Sequence, residues 1–114
     1  MIYLVMKMTV GNFSIPIFAS SLKEKAELKI TDLKSRDKML FRLQEDIGEE
    51  IEERDPSPYE WNPFNAEHHR LGERQQAYRK KRAEEMAIEN KVSIDDILLA
   101  ERHKYSIREV ENDD

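Results

Sequence analysis

Three histidines are the residues of this chain best suited to metal binding or acid–base catalysis. His68 and His69 are adjacent, so on a helix their side chains diverge by about 100° and do not easily share one metal ion. His103 stands near the predicted end of the last helix, where a cationic ring would interact favourably with the helix dipole. We therefore expect all three to be surface or capping residues, and we predict no metal site.

Other catalytic patterns are incomplete in this sequence. Asn62-Pro63-Phe64-Asn65 followed by His68 resembles the last part of an HNH nuclease motif, but the upstream Asp-His pair of that motif is absent. The chain has no cysteine and three glycines, which excludes thiolate chemistry and a Gly-rich phosphate loop. No carboxylate pair has an apolar setting that would separate its two pKa values. The sequence predicts a protein that is not an enzyme and has no cofactor.

Charge is strongly segregated along the chain. Residues 45–60 hold eight acids against one base, and residues 70–82 hold six bases against one acid. The acids include a patch formed by Glu49, Glu50, Glu52 and Glu53. Such a patch is usually a solvated helix face, although it also suits a nucleic-acid mimic that displays carboxylates in place of phosphates. We expect the acidic and basic segments to pair as an antiparallel helical hairpin.

The candidate binding residues lie in the basic segment and in the loop before it. Arginines suit phosphate binding, but the basic segment offers one aromatic ring for base stacking and the net charge is −5, so we expect no nucleic-acid partner. The loop aromatics either close the core or anchor a protein interface, where Trp and Tyr dominate the binding energy. The candidates are Tyr59, Trp61, Phe64, Arg70, Arg74 and Tyr78.

Alternating apolar residues at the start of the chain predict a β-hairpin. Gly11-Asn12 suits a two-residue type II′ turn, which fixes the register of the two strands. The resulting pairs are Val10–Phe13, Met8–Ile15 and Met6–Ile17. All six side chains then lie on one face, which we expect the helices to cover.

Pro16 has no N–H, so strand 2 should be a sheet edge and strand 1 should have a neighbour on its other side. Residues 105–111 are rich in β formers and supply that neighbour. The predicted fold is α+β, a three-stranded antiparallel sheet of order 2-1-3 with a long helical insertion between strands 2 and 3. We expect a single domain over 1–114, with a ββα…β platform of residues 1–34 plus 105–111 and an insertion of residues 35–104.

Three helices are expected between strands 2 and 3. The first follows a predicted capping box of Ser21 and Glu24, and its apolar stripe is interrupted at Asp37 and Gln44. Unbroken over residues 22–53 it would be about 48 Å long, so it either breaks near residues 35–37 or packs its far half on something else. Asn65 is a predicted cap for a second helix over residues 66–90. Ser93-Ile94-Asp95-Asp96 is a predicted capping box for a third.

Composition bounds the protein further. The chain has 114 residues, 39% apolar and 38% charged, which predicts a modest core inside long solvated faces. The apolar start is short, contains Lys7 and has no cleavage signal, so we expect no signal peptide. No run reaches the ~18 apolar residues of a membrane span. With the absence of cysteine, this favours a cytoplasmic protein.

Two segments carry a resemblance to known proteins. They are Ile17-Phe18-Ala19-Ser20-Ser21-Leu22-Lys23-Glu24-Lys25-Ala26, at the step from hairpin to helix, and Tyr105-Ser106-Ile107-Arg108-Glu109-Val110-Glu111, the closing strand. Together with the hairpin they resemble a loose group of small, uncharacterised bacteriophage ββαβ proteins. The resemblance implies a fold and a phage origin, and it carries no activity and no site residues.

The function that the sequence favours is a non-enzymatic protein-binding module, a phage-encoded inhibitor or modulator of a host bacterial protein. The alternatives are a binder of a small anionic ligand such as a nucleotide, through Arg70 and Arg74, and an acidic nucleic-acid mimic. We also predict self-association, with a dimer favoured, because the far half of the first helix has apolar residues without an evident cover. The protein is expected in the host bacterial cytoplasm, with no membrane partner.

Overall fold

The computed structural model describes residues 1–9 and 11–111 of the chain. The elements are β1 (Ile2–Met8), β2 (Ser14–Ser20), α1 (Lys23–Arg54), α2 (Ala66–Asn90), α3 (Ile94–Leu98) and β3 (Tyr105–Val110). They form two compact units, Met1–Met39 with Glu101–Asp114, and Leu40–Ala100. We call these the sheet unit and the helical unit. None of the described helices has the length and apolar content that a membrane-spanning segment needs.

The sheet unit contains a three-stranded antiparallel sheet of order β2-β1-β3, and this confirms the predicted α+β fold. β1 and β3 pair without interruption, from Ile2 opposite Val110 to Lys7 opposite Tyr105. Between β1 and β2 the register shifts by one residue at Val5/Met6. The shift is a β-bulge beside Pro16, on the edge strand where proline and bulges are tolerated.

The predicted two-residue turn of the hairpin is wrong. Thr9 pairs with Phe13, to whose carbonyl it donates its N–H at 2.6 Å, and Gly11 and Asn12 both have positive φ. Glycine and asparagine tolerate that conformation better than other residues. Near this turn Met8 therefore lies opposite Ser14 and Met6 opposite Pro16, one residue away from the predicted partners. The predicted Val10–Phe13 pair lies outside the described residues, and beyond the bulge Val5 faces Phe18 as the predicted register requires.

α1 covers the opposite face of the sheet from the predicted one. Val5 is fully buried, Lys29 on α1 lies over the Phe18 ring at 5.5 Å, and the Tyr105 hydroxyl donates to Asp37. Of the six residues expected under the helices, Val10 lies outside the described residues and only Met6 is buried; the other four are exposed, namely Met8, Phe13, Ile15 and Ile17. β1 carries apolar side chains on both faces, and the longer alternation, from Ile2 to Met8, indicated the face that α1 does not cover.

α1 is one continuous helix of 32 residues, about 48 Å long at 1.5 Å per residue. It begins at Lys23, and its first bond runs from the Ala26 N–H to the Leu22 carbonyl, so the predicted Ser21 cap is wrong. Ser20 instead accepts the Leu22 N–H. Leu22 itself remains half exposed.

The two polar residues that interrupt the α1 stripe each make a tertiary hydrogen bond. Asp37 accepts from the Tyr105 hydroxyl at 2.6 Å within the sheet unit. Gln44 donates to the Leu98 carbonyl at 2.8 Å within the helical unit, at the end of α3. A side-chain donor at the last carbonyls of a short helix satisfies groups that the helix itself leaves unpaired.

The helical unit is built around its own apolar core. Ile47 and Ile97 are 1% and 0% exposed, and both pack among small side chains of α2. The other buried members are Leu40, Ile51, Ala83, Met86, Ala87 and Ala100. The far half of α1 is therefore covered by α2 and α3, and this removes the reason for which the sequence predicted self-association.

Helix caps in the helical unit follow the sequence. Asn65 accepts the backbone N–H groups of Glu67 and His68 at the start of α2. Ser93 and Asp96 form the predicted reciprocal capping box of α3. α2 ends at Lys91, which adopts the left-handed conformation at φ 54° and returns its N–H to Ala87. His103 follows α3 by several residues and packs its ring edge against Tyr105, so it is not a cap of that helix.

Candidate functional site

The segment between α1 and α2, residues 55–64, displays aromatic side chains to solvent; we call it the aromatic loop. Tyr59 is 102% exposed, Phe64 94% and Trp61 49%. The expectation that these rings close the core is therefore wrong. Burying one such ring would stabilise the protein by roughly 1.5–3 kcal/mol, so displaying two of them fully is energetically costly.

The start of the aromatic loop is tied to both helices. Glu52 on α1 accepts the N–H and the hydroxyl of Ser57, and these bonds lower the pKa of its carboxyl. Gln75 on α2 is buried and donates to the Asp55 carbonyl at 2.9 Å and to the Ser57 hydroxyl at 3.0 Å. Arg74 forms an ion pair with the Asp55 carboxylate at 3.4 Å. Side chains of two helices thus hold Asp55 and Ser57 at the start of the loop.

The end of the aromatic loop is held by side chains of α2. The Asn62 N–H donates to Nδ1 of His68 at 2.9 Å, and the ring of His69 bonds to the Pro63 carbonyl. The Phe64 N–H donates to the Asn62 side chain at 2.9 Å. Trp61 packs edge-to-face on His68, with the ring centroids 5.8 Å apart. Both histidines of this helix therefore serve to fix the loop.

A cavity of about 590 Å³ opens beside Trp61, on the first turns of α2. Gly72 lies on its floor, and Glu73 and Gln76 continue the wall along the helix. The remaining lining residues are Asn62, Pro63, His68 and His69. The cavity has the size of a ligand pocket or of the cleft that receives a side chain of a partner protein.

We expect a Gln75→Leu variant to lower the free energy of unfolding of the helical unit by about 1–3 kcal/mol, since it leaves the Asp55 carbonyl and the Ser57 hydroxyl without this donor. Urea denaturation followed by the fluorescence of Trp61 measures the loss. Gln76→Leu is the matched control, because Gln76 is exposed one residue further along α2. Equal effects of the two substitutions would show that the Gln75 bonds do not hold the loop.

The predicted basic and aromatic binding residues are dispersed by the fold. Arg70 bonds to the Ala66 carbonyl of its own helix, and Arg74 is paired with Asp55. The Tyr78 hydroxyl donates to Glu50 at 3.1 Å, under a cation–π contact with Arg54 at 4.4 Å. Of the six candidate binding residues, Trp61 alone lines the cavity beside the loop.

The acidic patch is divided by intramolecular contacts. The Glu50 carboxylate accepts hydrogen bonds from the Tyr78 hydroxyl and, at 3.1 Å, from the Arg82 guanidinium. The bond from Arg82 raises the pKa of its guanidinium. Glu52 is bonded to Ser57, whereas Glu49 and Glu53 are exposed. The predicted pairing of acidic with basic segments occurs in the helical unit, where α1 and the loop meet α2 through the Glu50–Arg82 and Asp55–Arg74 ion pairs.

The residues that fix the loop could not be identified from the sequence. His68 and His69 were expected only as surface or capping residues, and Gln75 was not singled out. Their partners are backbone groups six and twenty residues away, which no local pattern reveals. No family model matches this sequence, and comparison with curated proteins and with solved structures found no match.

Proposed function

We propose that this protein is a non-enzymatic protein-binding module whose contact surface is the aromatic loop. The observation that carries the proposal is the full exposure of Tyr59 and Phe64 on a backbone that is hydrogen-bonded on both sides of them. Exposed aromatic side chains are the residue type most enriched among those that dominate binding energy at protein interfaces.

The fixed backbone strengthens this proposal. A flexible loop would lose conformational freedom on binding, and this loss would oppose association. Here Glu52, Gln75 and His68 already restrain the loop in the free protein. The loop backbone is therefore ordered before a partner binds. Less of the binding free energy of the aromatic rings is then lost to ordering the loop.

The two alternative functions have weaker support. A nucleotide site needs free cations around a cavity, but Arg74 is paired with Asp55 and the cavity beside Trp61 is lined without an arginine. A nucleic-acid mimic needs a continuous display of carboxylates, but Glu50 and Glu52 are bonded within the protein. Both histidines that would serve acid–base chemistry hold the loop.

The partner that we propose is a host bacterial protein, which the phage-like sequence pattern favours. The module would act there as an inhibitor or modulator in the bacterial cytoplasm. The aromatic loop would insert Tyr59 and Phe64 into the partner, and the cavity beside Trp61 would receive a side chain from it.

An affinity capture from bacterial lysate tests the proposal. We expect the wild-type chain to retain one host protein, and a Tyr59→Ala/Phe64→Ala double variant to lose at least 90% of it, since two interface anchors together contribute on the order of 3 kcal/mol or more. Thermal melting should be unchanged in the variant, because both rings are exposed in the free protein.

Ile88→Ala and Leu99→Ala are the matched controls, since these apolar side chains of the helical unit are 82% and 73% exposed outside the loop. Capture that survives the double variant but is lost in a control would place the contact elsewhere. Absence of any retained protein would count against a host partner.

A further inference from the structure

β3 is an edge strand of the described sheet, and it differs from the other edge in one respect. β2 carries Pro16 and a bulge, two features that prevent strand addition. β3 contains neither proline nor glycine, and its pairing with β1 is regular over all six residues. Strand addition is therefore blocked at one edge of the sheet and open at the other.

The alternation of hydrogen bonds along β3 shows which backbone N–H and C=O groups point away from β1. The Met8 N–H donates to the Lys104 carbonyl at 2.9 Å, so these two residues form a hydrogen-bonded pair at the end of the β1–β3 ladder. Hydrogen-bonded and non-hydrogen-bonded pairs alternate along antiparallel strands. Tyr105, Ile107 and Glu109 therefore direct their backbone N–H and C=O groups away from β1.

We propose that β3 pairs antiparallel with β3 of a second copy of this chain, with Ile107 opposite Ile107 of the second copy. In this register Tyr105 lies opposite Glu109 of the second copy. Each of the three residues then exchanges two backbone hydrogen bonds with its opposite residue, so the outward groups are all satisfied.

Charge selects this register over its neighbours. Two copies can pair only through the residues whose backbone groups point outward, and these are alternate residues of β3. Other pairings about a two-fold axis therefore differ from this one by shifts of two residues. One alternative places Arg108 opposite itself, a second places Glu109 opposite itself, and a third places Lys104 opposite Arg108, and like charges directly opposite are destabilising. In the proposed register Arg108 lies opposite Ser106, and no like charges face each other between residues 104 and 110. The strand can therefore pair with a second copy of itself without charge repulsion, and the second copy is the occupant that we propose for this edge.

The face of the sheet opposite α1 would continue across the proposed pairing. Along β1 it carries the apolar side chains that alternate with Val5: Ile2 and Leu4 are half-buried, Met6 is buried and Met8 is 37% exposed. On β3 this face carries Ser106, Arg108 and Val110, the last 38% exposed. In the proposed register Val110 lies opposite Lys104 of the second copy, whose aliphatic stem would cover part of the Val110 side chain.

Disulfide cross-linking tests the register, because the chain has no cysteine of its own. Ser106 and Arg108 are exposed and form a non-hydrogen-bonded pair in the proposed register, with Cα atoms about 4.5 Å apart. Two Arg108 residues would be roughly 8 Å apart, beyond the reach of a disulfide. On oxidation, a mixture of Ser106→Cys and size-tagged Arg108→Cys chains should yield mixed dimer. Its amount should be at least ten times that of the homodimer that either variant forms alone.

Ser14→Cys, on the exposed part of β2, measures cross-linking by random collision. Mixed dimer at the Ser14 level would overturn the proposal. Efficient linking of Arg108→Cys to itself would do so too, because it would show a different register.

Sedimentation equilibrium of the full chain tests the hydrogen bonding. The Glu109→Pro variant removes an outward N–H and no bond to β1, so we expect the dimer dissociation constant to rise at least tenfold with the melting curve of the monomer unchanged. Glu109→Ala keeps that N–H and should change the constant less than threefold. A wild-type chain that stays monomeric at millimolar concentration, or equal effects of the two substitutions, would contradict strand pairing.

Discussion

An Ile47→Ala variant is expected to lose about 2–5 kcal/mol of unfolding free energy in the helical unit, the range found when a fully buried isoleucine is truncated and leaves a cavity. Ile47 is 1% exposed and packs with Ile51, Ala83 and Ile97. Much of the α2 side of this core consists of alanine, whose short side chains have no rotamers with which to fill a void. We therefore expect the loss to lie in the upper half of that range.

Trp61 makes the measurement specific. It is the one tryptophan of the chain, and it lies in the helical unit against His68, so its fluorescence reports the unfolding of that unit. Urea denaturation of wild type and variant gives the two free energies. Ile88→Ala is the control, because Ile88 is 82% exposed and its truncation should change stability by less than about 0.5 kcal/mol. A loss below about 1 kcal/mol at Ile47 would mean that the core is not closely packed.

The strand order was predictable because one residue carried the necessary information. Pro16 has no N–H and fixed β2 as an edge, which left the other side of β1 for residues 105–111. Helix caps were predictable for a similar reason, since Asn65, Ser93 and Asp96 act on backbone groups within three residues. These caps could thus be derived from the sequence alone, whereas the predicted Ser21 cap and two-residue turn, which rest on equally local patterns, are wrong.

The covered face of the sheet could not be derived in the same way. Ile2, Leu4, Met6 and Met8 form a longer apolar alternation than Tyr3 and Val5, and so indicated the wrong face. What decides the matter is the small, fully buried Ala26, which lets α1 approach the sheet, and the bond between Asp37 and Tyr105, 68 residues apart. A contact of that sequence separation leaves no trace in a periodic pattern.

The candidate site shows the same division. Tyr59, Trp61 and Phe64 were identified from their type and from their place in a Pro-rich loop. Their exposure depends on bonds from Gln75 and His68 to distant backbone groups, which the sequence did not reveal. The ion pairs of Arg74 and Arg82 with acids that precede α2 agree with the predicted pairing of the two charged segments, and they leave Arg74 engaged within the protein.

A Tyr105→Phe variant is expected to lose about 1.5–3 kcal/mol of unfolding free energy near neutral pH, the usual contribution of a hydrogen bond to a charged group. The Tyr105 hydroxyl donates to Oδ2 of Asp37 at 2.6 Å. The same carboxylate oxygen accepts the backbone N–H of His103 at 3.3 Å. Phenylalanine leaves this half-buried carboxylate with the longer bond alone. An Asp37→Asn variant keeps an acceptor oxygen and should lose less.

The pH dependence of the same residue provides a second readout. Burial, and then the bond to Asp37, raise the pKa of the Tyr105 phenol well above its ordinary value. Above pH ~10 the unfolded chain therefore releases this proton while the folded chain keeps it, so the free energy of unfolding falls as the pH rises. The contribution of Tyr105 is fully present below that pH and is lost above it.

Urea denaturation at pH 8, 9, 10 and 11, followed by far-ultraviolet circular dichroism, separates this effect from general alkaline destabilisation. We expect the stability of Tyr105→Phe to decline less steeply above pH 10 than that of wild type. Tyr59→Phe should keep the wild-type slope, because Tyr59 is fully exposed and has no partner ring or carboxylate within the described contacts. Parallel pH profiles for wild type and Tyr105→Phe would show that the phenol stabilises the fold through its ring alone, and α1 would then be held to the start of β3 by packing and not by the Asp37 bond.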